Sequence, residues 1–309
     1  MKIKQLLLLT ILGLISYENI LSQSVPSKKY EFIYKSVKGH DIKANIFLPD
    51  SKEKHPVLIY FHGGGFIFGN RDGLEVSLKE KFQANGYAVV SADYRLAPET
   101  KLDEILKDVN DVMKWIRQNG QEKYNIDTSK IAVAGGSAGG YLALTSGFNT
   151  NSMPDAIIAV SAPTGFSTAN MQMGDLKVLS QAGPYDIVKD SVVSYGDYSS
   201  RMDLWRFLGR NRLALYEIFG FDPAKEPEKL DQYTLTNNMK PDFPPTLIIH
   251  AKNDHMVGLQ EVNDFYAFLT EKQINAELHL VENGHSSELI RQHPEVIDKM
   301  IEFLKIQMP

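Results

Sequence analysis

One serine of this chain stands among four glycines, in Gly135-Gly136-Ser137-Ala138-Gly139-Gly140. The apolar run Ile131-Ala132-Val133-Ala134 comes before it and the helix-forming Tyr141-Leu142-Ala143-Leu144 after it. G-x-S-x-G between a strand and a helix is the setting of a nucleophile elbow, where a strained turn holds the serine so that Oγ stands clear at the strand's end. A chain that reverses this sharply has no room for neighbouring side chains, which is a steric reason for the glycines. A phosphate cradle is the competing chemistry, and spacing tests it. G-x-G-x-x-G fails, because position 137 is Ser counted from Gly135 and position 138 is Ala counted from Gly136. No G-K-[ST] follows either, so the Walker-type loop fails as well. What remains is nucleophilic attack by Ser137, or a turn that merely lets a helix pack closely on a sheet.

A second glycine run favours attack. His62-Gly63-Gly64-Gly65-Phe66 follows the apolar residues 57–61. Successive glycines let backbone N–H groups point into a cavity without Cβ obstruction, and preorganised donors stabilise a tetrahedral oxyanion far more than a neutral carbonyl. The N–H groups of Gly64 and Gly65, with that of Ala138 from the elbow, are the expected oxyanion hole. His62 is expected to be structural, holding the loop by a side-chain hydrogen bond.

A serine nucleophile needs a base, and the base an orienting carboxylate. On an elbow of this kind both follow the serine, acid first. His40, His55 and His62 precede it, His250 ends a strand, His279 lies inside one, and His293 starts a terminal helix. His285, in Glu282-Asn283-Gly284-His285-Ser286, lies in a loop past the last strand and is the expected base, with His255 as the rival. Asp254, just past the preceding strand, is the expected acid; Asp242 and Glu282 are its alternatives.

The elements that must position these groups are legible as periodicity. Residues 30–35 and 42–48 alternate like antiparallel edge strands. Residues 57–61, 88–92, 131–134, 156–160 and 246–250 are continuously apolar, as suits strands covered on both faces. Helical spacing over 102–119, stopped by Gly120, and over 294–306 after the strand 276–281 makes the pattern βαβ, which predicts an α/β fold with a mostly parallel sheet. Residues of about 165–240 interrupt that rhythm for far longer than an ordinary connection. They form an insertion with helical pieces at 202–209 and 211–219. Its aromatics, Trp205, Phe207, Tyr216 and Phe219, suit an extra packing layer, a lid that shapes a pocket, or both.

Composition narrows the rest. The 309 residues are 43% hydrophobic, enough for a full core. A net charge of -5 with no basic run argues against a nucleic-acid partner. There is no cysteine, which excludes disulfides, thiolate catalysis and cysteine-based zinc sites. Lys2 and Lys4 before the apolar residues 6–15 have the layout of a secretory signal peptide over 1–23, leaving one domain over 24–309 that is secreted or periplasmic. The apolar run is about half the roughly 20 residues a membrane span needs, so stable membrane insertion is not expected. Nothing in the sequence speaks to oligomeric state.

His62-Gly-Gly-Gly-Phe66, then Asp93-Tyr94-Arg95-Leu96-Ala97-Pro98-Glu99, then Gly136-Ser137-Ala138-Gly139-Gly140 resemble, in order, the motifs of hormone-sensitive-lipase-like esterases of the α/β-hydrolase superfamily. The resemblance covers roughly residues 56–306 and places a cap at 165–240. It implies helices on both faces of the sheet, a carboxylesterase without metal or organic cofactor, and a role for residues 93–99 in bracing the active-site region. Two positions depart from the pattern: Gly136 stands where relatives commonly have Asp or Glu, and His255-Met256 where many have Pro-Leu. Both look more like exported esterases that remove acetyl or feruloyl groups from polysaccharides. The expected substrate is therefore a small-molecule or polysaccharide-linked ester of a small to medium acyl group. The alternatives are an amidase, an arylformamidase-like hydrolase, an exopeptidase, or a non-catalytic protein that binds a ligand in the same pocket.

Overall fold

Runs such as 57–61 and 156–160 have no polar side to offer water, so something must cover both of their faces. The computed structural model describes residues 28–149, 152–166 and 184–309, and among them one eight-stranded sheet meets that demand. The leader expected over 1–23 lies outside the described residues, as do residues 167–183 of the insertion. The strands are β1 (Lys28–Val37), β2 (His40–Leu48), β3 (His55–Phe61), β4 (Ala88–Ala92), β5 (Ile126–Gly136), β6 (Ala156–Val160), β7 (Thr246–Ala251) and β8 (Ala276–Val281). Their order is β1-β2-β4-β3-β5-β6-β7-β8. β2 runs antiparallel to β1 and β4, and every other pair is parallel. This is the α/β-hydrolase fold.

Side chains alternate across the sheet and find cover on each side. Val57, Ile59 and Phe61 of β3 join a core with α2 (Leu102–Tyr124), α3 (Ala138–Thr145) and α7 (Leu259–Glu271). Leu58 and Tyr60 face a second core with α1 (Val76–Ala84), α8 (Ser287–Gln292) and α9 (Val296–Gln307). The β6–β7 connection carries α4 (Tyr198–Arg210), α5 (Ala214–Phe219) and α6 (Leu235–Asn238). Leu204, Leu208, Leu215 and Ile218 from this connection belong to the same core as α2. Among the described residues no helix is long and apolar enough to cross a membrane.

Gly120 does not stop α2. It is buried, and a Cβ on it would sit 3.3 Å from the side chain of Ile126, so the glycine serves close packing of the helix on the start of β5. The helix runs to Tyr124 and closes at Asn125, whose φ of 55° lets its N–H turn back to the carbonyls of Gln121 and Gly120.

Register then brings the chemical loops together. Phe61 of β3 pairs with Gly135 of β5, so the triple-glycine loop and the elbow leave the sheet side by side. Ala251 of β7 pairs with Val281 of β8, which starts the loops carrying Asp254 and His285 from neighbouring positions.

Candidate active site

Ser137 sits between β5 and α3 with φ 53° and ψ −123°, a conformation that costs a residue with a side chain about 1–3 kcal/mol. The turn is held from both sides. Ser137 N–H donates to Val160 O at the end of β6 (2.9 Å), and Ser137 O accepts from the N–H groups of Gly140 (2.8 Å) and Tyr141 (3.1 Å). A Cβ on Gly135 would lie 2.1 Å from Gly139 O, which is why the tight reversal excludes any side chain there. Ser137 lines a cavity of about 860 Å³, together with His285 and the triple-glycine loop.

The side chain of Asp254 is fully buried, and both of its oxygens are engaged. Oδ1 accepts the N–H groups of Met256 (2.8 Å) and Val257 (3.0 Å), and His285 Nδ1 lies 2.8 Å from Oδ2 and 3.0 Å from Oδ1. Burial pushes the carboxyl up, but the bond and charge of His285 and the two amides outweigh it, so the pKa lies below the ordinary 3.8. An ionised Asp254 requires the proton of a neutral His285 on Nδ1, which leaves Nε2 as a lone-pair acceptor. His250 packs beneath the pair, with Nε2 3.1 Å from Val257 O and Nδ1 4.0 Å from Asp254 Oδ2. Burial holds its pKa below the usual imidazole value.

Of the alternatives, one shares the cavity and two do not line it. His255 lines the cavity with its ring 6.1 Å from that of His285. Asp242 is exposed, and Glu282 is engaged by Lys252 and Asn253 on the surface.

In the triple-glycine loop, Gly64 and Gly65 have φ of 108° and 56°, and Gly64 O accepts from the N–H groups of Ile67 and Phe68. Among the described residues the N–H groups of Gly64, Gly65 and Ala138 donate to no protein atom. Ala138 also opens α3, where helix amides lack intrahelical acceptors and the dipole is positive. His62 is structural, as expected. Its Nδ1–H donates to Gly63 O (2.7 Å), its ring stacks on Tyr94 at 4.2 Å, and burial pushes its pKa down to about 4, so the ring is neutral.

Residues 93–99 do brace the site. Tyr94 Oη donates to His62 O (2.9 Å), Ala97 N–H donates to Phe66 O (2.9 Å), and the Asp93 carboxylate accepts from Arg71 N–H (2.7 Å) and pairs with its guanidinium.

Two contributors, Ser286 and Arg201, have no clear signal in the sequence, and a third, Trp205, is visible there only as an aromatic of the insertion. Ser286, directly after His285, adopts φ 54° and ψ −120°, nearly the conformation of Ser137, and its N–H donates to Ser161 Oγ (3.0 Å). Ser286 Oγ lies 2.2 Å from where a Cβ on Gly136 would be. The departure at Gly136 therefore has a steric cause: Ser286 fills the space of the absent side chain. Arg201 of α4 is buried, donates to Ile67 O (2.8 Å) and Ala97 O, and pairs with the buried Glu99 at 2.8 Å. Trp205, one turn later, lies against the backbone of Gly65. The partners of Arg201 and Trp205 are more than 100 residues away in sequence, beyond the reach of any local pattern. Among the described residues no cluster of three or more His, Asp or Glu side chains is disposed to hold a metal ion.

Residues 44–269 match the BD-FAE family model. The chain is 35% identical over 147 residues to the non-reducing polyketide synthase pkbA of Emericella nidulans, a match that covers 43% of this chain and only 6% of the synthase. It is 40% identical over 95 residues to the esterase LipI of Mycobacterium tuberculosis, covering 31% of this chain and 29% of LipI. Among solved structures, a truncated carbohydrate esterase from gut microbiota superposes with a TM-score of 0.68 at 20% identity, over 92% of this chain and 99% of that one.

Proposed function

The chain belongs to the BD-FAE family, and from that membership and the geometry above we propose that it is a serine hydrolase cleaving carboxylic esters of small to medium acyl groups. One observation carries the reading. A buried, ionised Asp254 fixes the tautomer of His285 in the same cavity as a serine held in a strained turn beside three undonated amides.

The chemistry follows from these parts. Ser137 Oγ attacks the ester carbonyl while His285 Nε2 takes its proton. The developing oxyanion accepts hydrogen bonds from Gly64, Gly65 and Ala138, donors that need no rearrangement as charge builds. Collapse of the intermediate expels the alcohol, which takes the proton from His285 and leaves an acyl-Ser137. Water repeats the sequence, with His285 as base, and releases the carboxylic acid. Asp254 stays ionised throughout and stabilises the imidazolium that forms in each half-reaction.

The alcohol side supports a polar leaving group. Ser287, Glu288 and Arg291, all on α8, line the cavity just after His285 and offer polar contacts of the kind a sugar would use. The name of the gut carbohydrate esterase with the same fold supports a polysaccharide-linked ester as the natural substrate. The lysines and apolar run over residues 1–23 support export, so the site of action would be the periplasm or the exterior; N-terminal sequencing of the protein recovered outside the cytoplasm tests this.

The mechanism is tested by hydrolysis of p-nitrophenyl acetate by the purified protein. Ser137→Ala should lose nearly all of the rate, and full activity in that variant would sink the mechanism.

A further inference from the structure

The triple-glycine loop touches two different walls. At Gly63 it meets Gly136, Ser137 and Ser286: a Cβ there would lie 3.4 Å from Ser137 Cβ and 3.5 Å from Ser286 Oγ, next to the base His285. At Gly65 it meets Trp205, where a Cβ would lie 2.5 Å from the indole Nε1 and 2.9 Å from Cδ1. Trp205 and Ser137 line the same cavity, so the indole stands at the far end of the oxyanion loop from the base.

Ester chemistry assigns a role to each wall. With the carbonyl oxygen on the loop, the alcohol must depart where His285 can protonate it. The acyl chain then extends the other way, past Gly65. We propose that Trp205 is the end wall of the acyl subsite and restricts the enzyme to short acyl groups, acetyl to butyryl; this rests on the esterase reading above.

The wall is rigid. Arg201, one helical turn before Trp205, is 3% exposed and ties α4 to the oxyanion loop itself through Ile67 O, to Ala97 O and to Glu99, whose side chain is 0% exposed. Phe68 packs edge-on against Trp205 at 5.6 Å and against Tyr198 at 5.5 Å. Moving the indole aside for a longer chain would unpack it from Phe68. Leu215 and Ile218 of α5 line the same cavity, so removal of the indole enlarges an apolar space in which a longer chain is at home.

The test is kcat/KM for p-nitrophenyl acetate, butyrate, hexanoate and octanoate, with the full chain and with Trp205→Ala. For the unaltered protein the value should fall by about tenfold or more between butyrate and hexanoate, the scale on which a methylene that does not fit is rejected. In Trp205→Ala the ratio of hexanoate to acetate should rise by about tenfold, with acetate itself little improved. If Trp205→Ala does not fold, judged by its thermal midpoint, Trp205→Leu is read in the same way. An unaltered protein that cleaves acetate and octanoate equally well overturns the role of Trp205, as does a variant that loses rate in the same proportion for every chain. An unaltered protein that cleaves none of the series overturns the esterase reading itself, and the inference falls with it.

Discussion

Asp254→Asn tests the site most sharply, because the structure dictates which way the new amide must face. In the native chain Oδ1 accepts two backbone N–H groups, from Met256 and Val257, and Oδ2 is the oxygen nearer to His285 Nδ1. Asparagine brings one acceptor and one donor. Turning its NH₂ toward the two amides would set donor against donor and strip the part-buried N–H of Val257 of its acceptor, at about 1–3 kcal/mol, so the carbonyl stays on them. The NH₂ then faces His285 and forces Nδ1 to become the acceptor. The imidazole proton moves to Nε2, and the base has no lone pair left for Ser137. The same exchange of tautomer in a serine protease costs about 10⁴ in kcat, or about 5.5 kcal/mol of transition-state stabilisation, and a loss of that size is expected here. The amides remain satisfied, so the thermal midpoint should shift by only a few degrees. Steady-state hydrolysis of p-nitrophenyl acetate reads the rate, and ¹⁵N NMR of the imidazole reads the tautomer. A folded Asp254→Asn protein with kcat within tenfold of the native value would refute the reasoning.

Ser137→Gly should abolish activity yet raise stability by about 1 kcal/mol, or roughly 2–4 °C. It releases the strain at φ 53° and gives back part of that gain in unfolded-chain entropy; a lower midpoint in calorimetry would count against the strain. Gly136→Ala places a methyl group 2.2 Å from Ser286 Oγ and 3.1 Å from Tyr60 Oη, and should cut kcat/KM by about 10² by displacing the residue next to His285. Adding Ser286→Gly, which a φ of 54° favours, should restore much of that rate, whereas two independent losses would rule out the steric coupling. Stability against pH should show two buried groups opposing each other. Burial, partly offset by Arg71, pushes Asp93 up to about 6 from 3.8, so between those values the folded chain binds more protons than the unfolded one and the contribution of Asp93 grows as pH falls. Burial pushes His62 down to about 4 from 6.5, so its contribution is lost as pH falls through that window. Each amounts to about 3 kcal/mol. Urea unfolding of Asp93→Asn should therefore show stability falling from pH 6.5 to 4 by about 3 kcal/mol more than the native chain, and parallel curves would reject the account.

The parts of this protein that the sequence determined are those set by local rules. Apolar runs of five residues must be covered on both faces, and alternation with helical spacing leads to a parallel sheet. G-x-S-x-G after a strand demands a strained serine, which is why Ser137 could be singled out, and chain order led to Asp254 and His285. The limit of α2 is not legible at Gly120, because a glycine that stops a helix and one that lets a helix touch Ile126 look the same in sequence. Only the tertiary structure decided that Asp254 meets His285, through the pairing of Ala251 with Val281, and why Gly136 carries no side chain, through Ser286 about 150 residues later. It alone brought Arg201 and Trp205 of α4 onto the triple-glycine loop. The physical reason is common to all of these: a motif records the strain and bonding of its own few residues. The walls of a cavity are made by whichever distant side chains the packing of the sheet and its long β6–β7 connection brings against it.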